Sequence, residues 1–172
     1  VAPWEILAVT FTNKAAGEMK ERVTELLGSR GRDVWVSTFH SSCLRILRRE
    51  IGGIAGYSRD FVIYDDRDSR NLVKRILKSE AGEEATLTPR AVLSRISRAK
   101  NALQSADDLE ARAFTPERRL AATVFREYEA ALRRSNAVDF DDLLLLTLRL
   151  FEEHPHVLAA CRQKYRYVMV DE

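Results

Sequence analysis

The chain has 172 residues, of which 45% are hydrophobic and 31% are charged, and its formal net charge is +2 at pH 7. This composition predicts a soluble globular protein of one domain, or one domain and a fraction. No apolar run approaches the ~20 residues that a membrane-spanning helix needs, and no basic segment followed by an apolar one indicates export. We therefore expect a cytoplasmic protein without membrane contact. The net charge is too small to indicate a nucleic-acid partner by itself.

Cys43 and Cys161 are the only cysteines. Neither has a second cysteine or a histidine at the spacing of a metal site, and both lie among apolar positions of predicted helices. They are therefore predicted to be buried free thiols in a reducing compartment.

The first third of the chain alternates strand and helix, as is typical of a doubly wound α/β domain. Residues 6–11 form a nearly continuous apolar run, which predicts a strand buried on both faces of a parallel sheet. Thr12 or Asn13 can cap the helix that follows. A second strand is predicted at 34–37, and the chain then turns into a second helix after Thr38.

The middle of the chain predicts a block of helices. A brief extended piece at 61–64 comes first, and three helices follow with no strand between them. The first begins near Arg67, and the other two begin after Thr88 and Thr115, each of which precedes a proline at the first helical position. Because each helix carries an apolar stripe at helical spacing, the block is predicted to be a helical subdomain inserted into the α/β frame.

The α/β frame returns near residue 138. Acidic residues at 139–142 suit the first turn of a helix, and Pro155 begins another helix. The segment 167–170 predicts a last buried strand, with Asp171 and Glu172 at its carboxyl edge. A domain does not normally end at such a strand, so we expect the chain to be a piece of a longer protein.

Ligands of a doubly wound sheet gather at the carboxyl ends of its strands. The first two strands each run into a helix N-terminus, where free backbone N–H groups favour a phosphate. The residues at these two turns are Thr10, Phe11, Thr12 and Asn13, and Thr38, Phe39 and His40. Hydroxyl and amide side chains commonly contact a nucleic-acid backbone, and aromatic rings stack on bases. The alternative is that both phenylalanines are buried packing residues.

The end of the chain suggests a metal site. An apolar strand followed by an aspartate is the arrangement that holds Mg²⁺ beside nucleotide phosphates. Asp171 is therefore a candidate ligand of Mg²⁺ through water, and Glu172 is a candidate catalytic base for the attacking water. The same ending also arises by chance in strands that bind nothing.

Six stretches of the sequence resemble, in the same order, motifs of the UvrD/Rep/PcrA group of superfamily 1 DNA helicases. They are 6–19 (ILAVTFTNKAAGEM, motif Ia), 36–41 (VSTFHS, motif Ib), 61–65 (FVIYD), 97–101 (SRAKN), 139–143 (DFDDL) and 167–172 (YVMVDE, the opening of motif II). Their order is far more specific than any one stretch, and it covers essentially the whole chain.

The resemblance implies a partial RecA-like domain, 1A, with an inserted all-helical subdomain, 1B. Residues 1–54 would be the first part of domain 1A, 55–137 the 1B insertion, and 138–172 the return to domain 1A. The family's phosphate-binding loop is absent, since no Gly-x-x-x-x-Gly-Lys-Ser/Thr occurs and Lys14 follows no glycine-rich loop. We therefore expect an internal fragment that does not hydrolyse ATP by itself.

The resemblance also implies a parent enzyme, an ATP-dependent 3′–5′ DNA helicase or translocase that uses ATP and Mg²⁺. Its implied partners are single-stranded DNA, the duplex junction and the rest of the helicase chain, including a second RecA-like domain. By resemblance, the residues at the two strand ends line the single-stranded DNA track, Asp171 holds Mg²⁺ and Glu172 is the catalytic base. The motifs do not distinguish a simple helicase from a helicase–nuclease subunit, but the compact 1B segment favours the former. The pathway, DNA repair included, stays open.

Two further interpretations depend on this resemblance. In the family the 1B block leans on the duplex, and the residues that would make this contact here are Arg90, Arg95, Arg98 and Lys100; a solvated helix face is the alternative for each. The alternative function for the whole chain is a stand-alone DNA-binding or interaction module derived from the helicase fold. A nucleotide-binding α/β protein that does not touch DNA is a third.

Overall fold

The computed structural model describes residues 1–54, 56–82 and 87–171. The chain divides into two compact units. The sheet unit comprises Val1–Gly53 and Leu146–Glu172, and the helical unit comprises Ile54–Leu145.

Strands and helices alternate in the sheet unit, whereas helices dominate the helical unit. In chain order the elements are β1 (Ile6–Thr10), α1 (Asn13–Leu27), β2 (Trp35–Thr38), α2 (Phe39–Glu50), β3 (Val62–Ile63), α3 (Asp66–Ala81), α4 (Pro89–Asn101), α5 (Ala106–Ala111), α6 (Pro116–Arg134), β4 (Ala137–Val138), α7 (Phe140–Glu153), α8 (Pro155–Lys164) and β5 (Tyr167–Val170). Short 3₁₀ turns lie at Pro3–Glu5, Gly28–Asp33 and Ile51–Gly53. The chain is therefore an α/β protein, as its sequence predicts.

The sheet unit is built on a parallel sheet with the strand order β2-β1-β5. In its register Ala8 of β1 lies opposite Val36 of β2 on one side and Met169 of β5 on the other. Ala8 and Val9 of the central strand are buried, because β1 has a neighbouring strand on each side. The predicted parallel sheet is confirmed.

The predicted burial of the last strand is wrong. All four residues of β5 are exposed, and Val168 and Val170 keep more than half of their accessible surface. The physical reason is that β1 is the main packing partner of β5 in the part of the chain that the structure describes, so the side chains on the faces of β5 stay open to solvent. An apolar run predicts a strand that prefers burial, but it does not supply the neighbour that buries it.

The helical unit packs α3, α4 and α6 around one apolar core. The core residues are Leu72, Val73 and Leu77 of α3, Val92, Ile96 and Ala99 of α4, Val124, Phe125, Tyr128 and Leu132 of α6, with Ala106 and Ala137. The three predicted helices are thus present. The hydroxyls of Thr88 and Thr115 accept the backbone N–H of the third helical residue, so both predicted N-caps are confirmed.

The description of this block as all-helical is wrong in one respect. The extended piece predicted at 61–64 contains β3, which pairs in parallel with β4: Val62 lies opposite Ala137, and Ile63 lies opposite Val138. Helix α5 was also not predicted, because a helix of six residues is too short to show an apolar period.

Neither cysteine is fully buried as predicted. Cys43 and Cys161 are both free and half-buried, and burial raises the pKa of each thiol. The apolar neighbours in sequence therefore overstate the burial of both thiols. Among the described residues, no helix is long and apolar enough to cross a membrane.

The packing of the helical unit predicts the effect of truncating Phe125, which is 1% exposed. Phe125→Ala is expected to lower the free energy of unfolding by about 3–5 kcal/mol, because it leaves a cavity in a core that relaxes only partly. Urea denaturation followed by circular dichroism measures this loss. The matched control is Phe114→Ala at a side chain that is 82% exposed, where the change should stay within about 0.5 kcal/mol. Equal losses in the two variants would contradict this description of the core.

Candidate functional site

The first predicted turn joins β1 to α1. Thr10 is buried at the end of the strand, whereas the Phe11 side chain is 65% exposed. Thr12 caps α1, because its hydroxyl accepts the backbone N–H of Ala15 at 3.1 Å. Asn13 is the first helical residue and is exposed. Phe11 is therefore a surface aromatic, and the alternative of a buried packing residue does not hold for it.

The second predicted turn joins β2 to α2 with the same local design. Thr38 is buried, and its hydroxyl accepts the backbone N–H of Ser41 at 3.2 Å and donates to the Ser41 hydroxyl at 2.9 Å. Phe39 and His40 are the first two residues of α2 and are half-buried. Because Thr12 and Thr38 cap helices, their hydroxyls already have hydrogen-bond partners within the protein.

The structure brings the two turns together. Thr10 lies opposite Thr38 in the sheet register, so the residues that follow them emerge side by side. The rings of Phe11 and Phe39 contact each other, with centroids 5.2 Å apart and planes inclined by 45°. We call Phe11, Thr12, Asn13, Phe39 and His40 the strand-end surface. Thr10 and Thr38 are buried beneath it, at the ends of the two strands.

Asp171 follows β5 at the same edge of the sheet. Its backbone N–H donates to the Val9 carbonyl at 3.0 Å, and its side chain is exposed. Glu172, the predicted catalytic base, lies outside the described residues. No cluster of three or more His, Cys, Asp or Glu side chains forms in the described ranges. Asp171 therefore fits one water-mediated contact to a divalent cation, and the other ligands would have to come from elsewhere.

A second surface with a strong charge lies in the helical unit. An open cleft of about 470 Å³ is lined by four arginines, Arg95, Arg98, Arg112 and Arg118, together with Ala99, Gln104, Leu109 and Ala121. We call it the arginine cleft. The carboxylates of Glu117 and Asp108 do not line the cleft, but they interact with Arg95 and Arg112 respectively. Arg95 donates to the Glu117 carbonyl at 3.5 Å, and Arg98 donates to the Ser94 carbonyl at 3.2 Å.

The four basic residues proposed from the sequence separate in the structure. Arg95 and Arg98 lie in the arginine cleft, whereas Arg90 lines a different cleft together with Asp65 and Asp141. Lys100 is 1% exposed, so the prediction that it belongs to a basic surface is wrong. Sequence reasoning missed Arg112 and Arg118, because they lie outside α4 and join its arginines only through the packing of the unit.

Lys100 is buried because two carboxylates surround its ammonium group. Its Nζ donates to Asp139 Oδ2 at 2.8 Å and to Asp142 Oδ1 at 2.6 Å. Burial lowers the pKa of Lys100, but the charges and hydrogen bonds of the two aspartates outweigh it and raise the pKa above its ordinary value. Burial is the main cause that raises the pKa of Asp142 to about 6. The charge of Asp139 also raises this pKa, and the charge of Lys100 lowers it.

Two more side chains complete this buried cluster. The Tyr128 hydroxyl lies 2.9 Å from the Ser69 hydroxyl and donates to Asp139 Oδ2 at 3.1 Å. Asp139 and Asp142 also accept each other's backbone N–H, at 2.9 and 3.1 Å, at the start of α7. We call Lys100, Asp139, Asp142, Tyr128 and Ser69 the Lys100 network. The capping-box spacing of the two aspartates was its one signal in the sequence.

The whole chain, residues 1–172, matches the family model described as the UvrD/REP helicase N-terminal domain. Proteins named ATP-dependent DNA helicase PcrA from Staphylococcus aureus (strain Mu50) and Bacillus subtilis (strain 168) are each 44% identical to it over 172 residues. The PcrA protein of Staphylococcus epidermidis is also 44% identical. These matches cover 100% of the chain but only 23% of the length of the first two relatives and 24% of the third.

Proposed function

The chain belongs to the UvrD/REP helicase N-terminal domain family, and on this premise we propose that it forms part of an ATP-dependent 3′–5′ DNA helicase or translocase. In this proposal the sheet unit contributes to the track for single-stranded DNA, and the helical unit contacts the duplex junction. The observation that carries the proposal is the contact between Phe11 and Phe39 at the carboxyl ends of two neighbouring parallel strands.

The strand-end surface suits single-stranded DNA for two reasons. Exposed aromatic rings offer stacking platforms to any base, and Phe11 is the more exposed of the two rings. The N-termini of α1 and α2 lie beside those rings, and the dipole of a helix N-terminus favours phosphate. Because the hydroxyls of Thr12 and Thr38 cap the helices, backbone amides and Asn13 are left to contact the phosphates. Such contacts carry no sequence preference.

This chain contains only part of the ATP site of the proposed parent enzyme. Asp171 would hold Mg²⁺ through water, and Glu172 would accept a proton from the attacking water. Bound ATP would supply the phosphoryl group that is transferred to water, and Mg²⁺ would neutralise the charge on its phosphates. The backbone amides and lysine of a phosphate-binding loop, and a second RecA-like domain, would come from the rest of the helicase chain.

The two units correspond in this proposal to parts of the helicase architecture. The sheet unit would be the portion of domain 1A, and the helical unit would be the 1B insertion. The arginine cleft is then the candidate contact with duplex DNA, because the four guanidinium groups that line it match the charge and the hydrogen-bond acceptors of a phosphate backbone.

Single-strand binding provides the first test. Phe11→Ala is expected to weaken binding of an oligothymidylate to the purified chain by about 5- to 150-fold, which corresponds to the ~1–3 kcal/mol of one stacked base. Fluorescence anisotropy at low salt measures the dissociation constant. Thermal unfolding of the same variant should change little, because Phe11 is mostly exposed.

The control for this test is Trp4→Ala, which removes another exposed aromatic of the sheet unit outside the strand-end surface. It should leave single-strand affinity at the parent level. A large fall in melting temperature for Phe11→Ala with unchanged affinity would mean that Phe11 has a packing role and no contact with bases.

ATP turnover provides the second test. The isolated chain is expected to show no ATPase activity above background, with or without single-stranded DNA, because it has no phosphate-binding loop. In the intact helicase, Glu172→Gln should leave ATP binding in place and lower turnover by roughly 10²–10⁴-fold, because an amide cannot accept the proton. A coupled phosphate-release assay measures turnover in the isolated chain and in the Glu172→Gln helicase. A Glu172→Gln enzyme that keeps more than about a third of parent turnover would exclude Glu172 as the base.

Duplex binding provides the third test. Replacing Arg98 and Arg118 together by alanine should weaken binding of the chain to a blunt duplex and reduce the salt dependence by about one unit of slope for each phosphate that the variant no longer neutralises. The matched control is Arg75→Ala, at an exposed arginine of α3 outside the cleft. If the control and the cleft variant show the same fall in affinity and slope, the cleft has no specific role in duplex binding.

A further inference from the structure

The Lys100 network links four parts of the helical unit through one buried ammonium. Lys100 lies on α4, Tyr128 on α6 and Ser69 on α3, and the two aspartates stand at the start of α7. Within the described residues, no buried side-chain nitrogen or oxygen atom lacks a hydrogen-bond partner, so each polar atom buried in the network has at least one. Burying three charges carries a desolvation cost of several kcal/mol for each ion. In other proteins, replacing a buried ion pair by apolar side chains of similar volume is often neutral or stabilising.

The network adds hydrogen bonds, whose strength depends on direction, to the apolar contacts of this core. Val92, Ile96 and Ala99 of α4 already pack in the same apolar cluster as Phe125 of α6, and such contacts are non-directional. They hold two helices together but fix their rotation weakly. The hydrogen bonds of the network, which measure 2.6–3.1 Å, weaken steeply when the donor–hydrogen–acceptor angle departs from linearity. The network therefore fixes the rotation of α4 about its own axis.

The rotation of α4 determines where the guanidinium groups of Arg95 and Arg98, the two cleft arginines on this helix, point. Arg98 and Lys100 are two residues apart on this helix, about 200° around its axis, so they occupy nearly opposite faces. A rotation of about 20° moves a side chain at the helix surface, roughly 5–6 Å from the axis, by about 2 Å. A shift of that size breaks a contact between an arginine and a phosphate.

We infer that Lys100 is a positioning residue for duplex DNA: by its bonds to Asp139 and Asp142 it holds α4 in the rotation that directs Arg95 and Arg98 into the arginine cleft. The inference rests on the proposed duplex contact of that cleft. Lys100 does not touch DNA itself, since it is 1% exposed.

The experiment separates positioning from stability. Lys100→Met leaves two carboxylates uncompensated and is expected to destabilise the chain. The informative variant therefore combines Lys100→Met with Asp139→Asn and Asp142→Asn, which removes all three charges while asparagine still caps α7. It should fold, as judged by circular dichroism, and should bind a blunt duplex about 3- to 30-fold more weakly, with a smaller salt slope.

The control is Lys74→Met, which removes a lysine charge from the exposed face of α3 and should leave duplex affinity close to the parent value. A folded triple variant with parent affinity and slope would overturn the positioning role. If neither Lys100 variant folds, Asp142→Ala decides: it removes one of the two bonds of Lys100 and leaves the ammonium paired with Asp139, so lowered affinity supports the role and parent affinity overturns it.

The same titrations on an Arg95→Ala, Arg98→Ala double variant distinguish this inference from the proposed function. Parent affinity in the double variant would exclude the duplex contact of the cleft itself. Weakened binding there, combined with parent affinity in the folded triple variant, would exclude only the positioning role of Lys100.

Discussion

The parallel pairing of β1 with β2 and β5 is the constraint on which the candidate site depends. Parallel strands end at the same edge of a sheet, so the residues after Thr10, Thr38 and Val170 emerge together although long stretches of chain separate them. Side chains alternate between the faces of a strand, and a slip of β2 by one residue would turn each of them over. The register that aligns Thr10 with Thr38 thus also sets the contact between Phe11 and Phe39.

Local features of this architecture could be predicted from the sequence because their causes are local. A threonine before a helix satisfies backbone N–H groups in its own first turn, and Thr12, Thr88 and Thr115 do so as expected. The order of the elements and the meeting of two polar strand ends follow from similar reasoning. Family membership was also visible, because six short stretches in a fixed order are improbable by chance.

Features that depend on distant residues could not be predicted. Lys100 has the sequence pattern of a surface cation on an amphipathic helix, and its partners stand 39 and 42 residues further along the chain. Two aspartates at capping-box spacing explain the start of α7, but nothing local shows that they also bind an ammonium. Likewise, the exposure of Phe11 and of β5 depends on which elements cover them, and the apolar character of a residue does not predict this.

The outer edge of β5 has a consequence for the behaviour of the chain in solution. Within the described residues that edge is unpaired, so its main-chain N–H and C=O groups form a template for an additional strand. Proteins usually guard such edges with charged side chains or proline, and Tyr167–Val170 contains neither. A concentrated preparation of the chain is therefore prone to edge-to-edge self-association. The oligomeric state of the chain at high concentration then reports on the pairing of this strand.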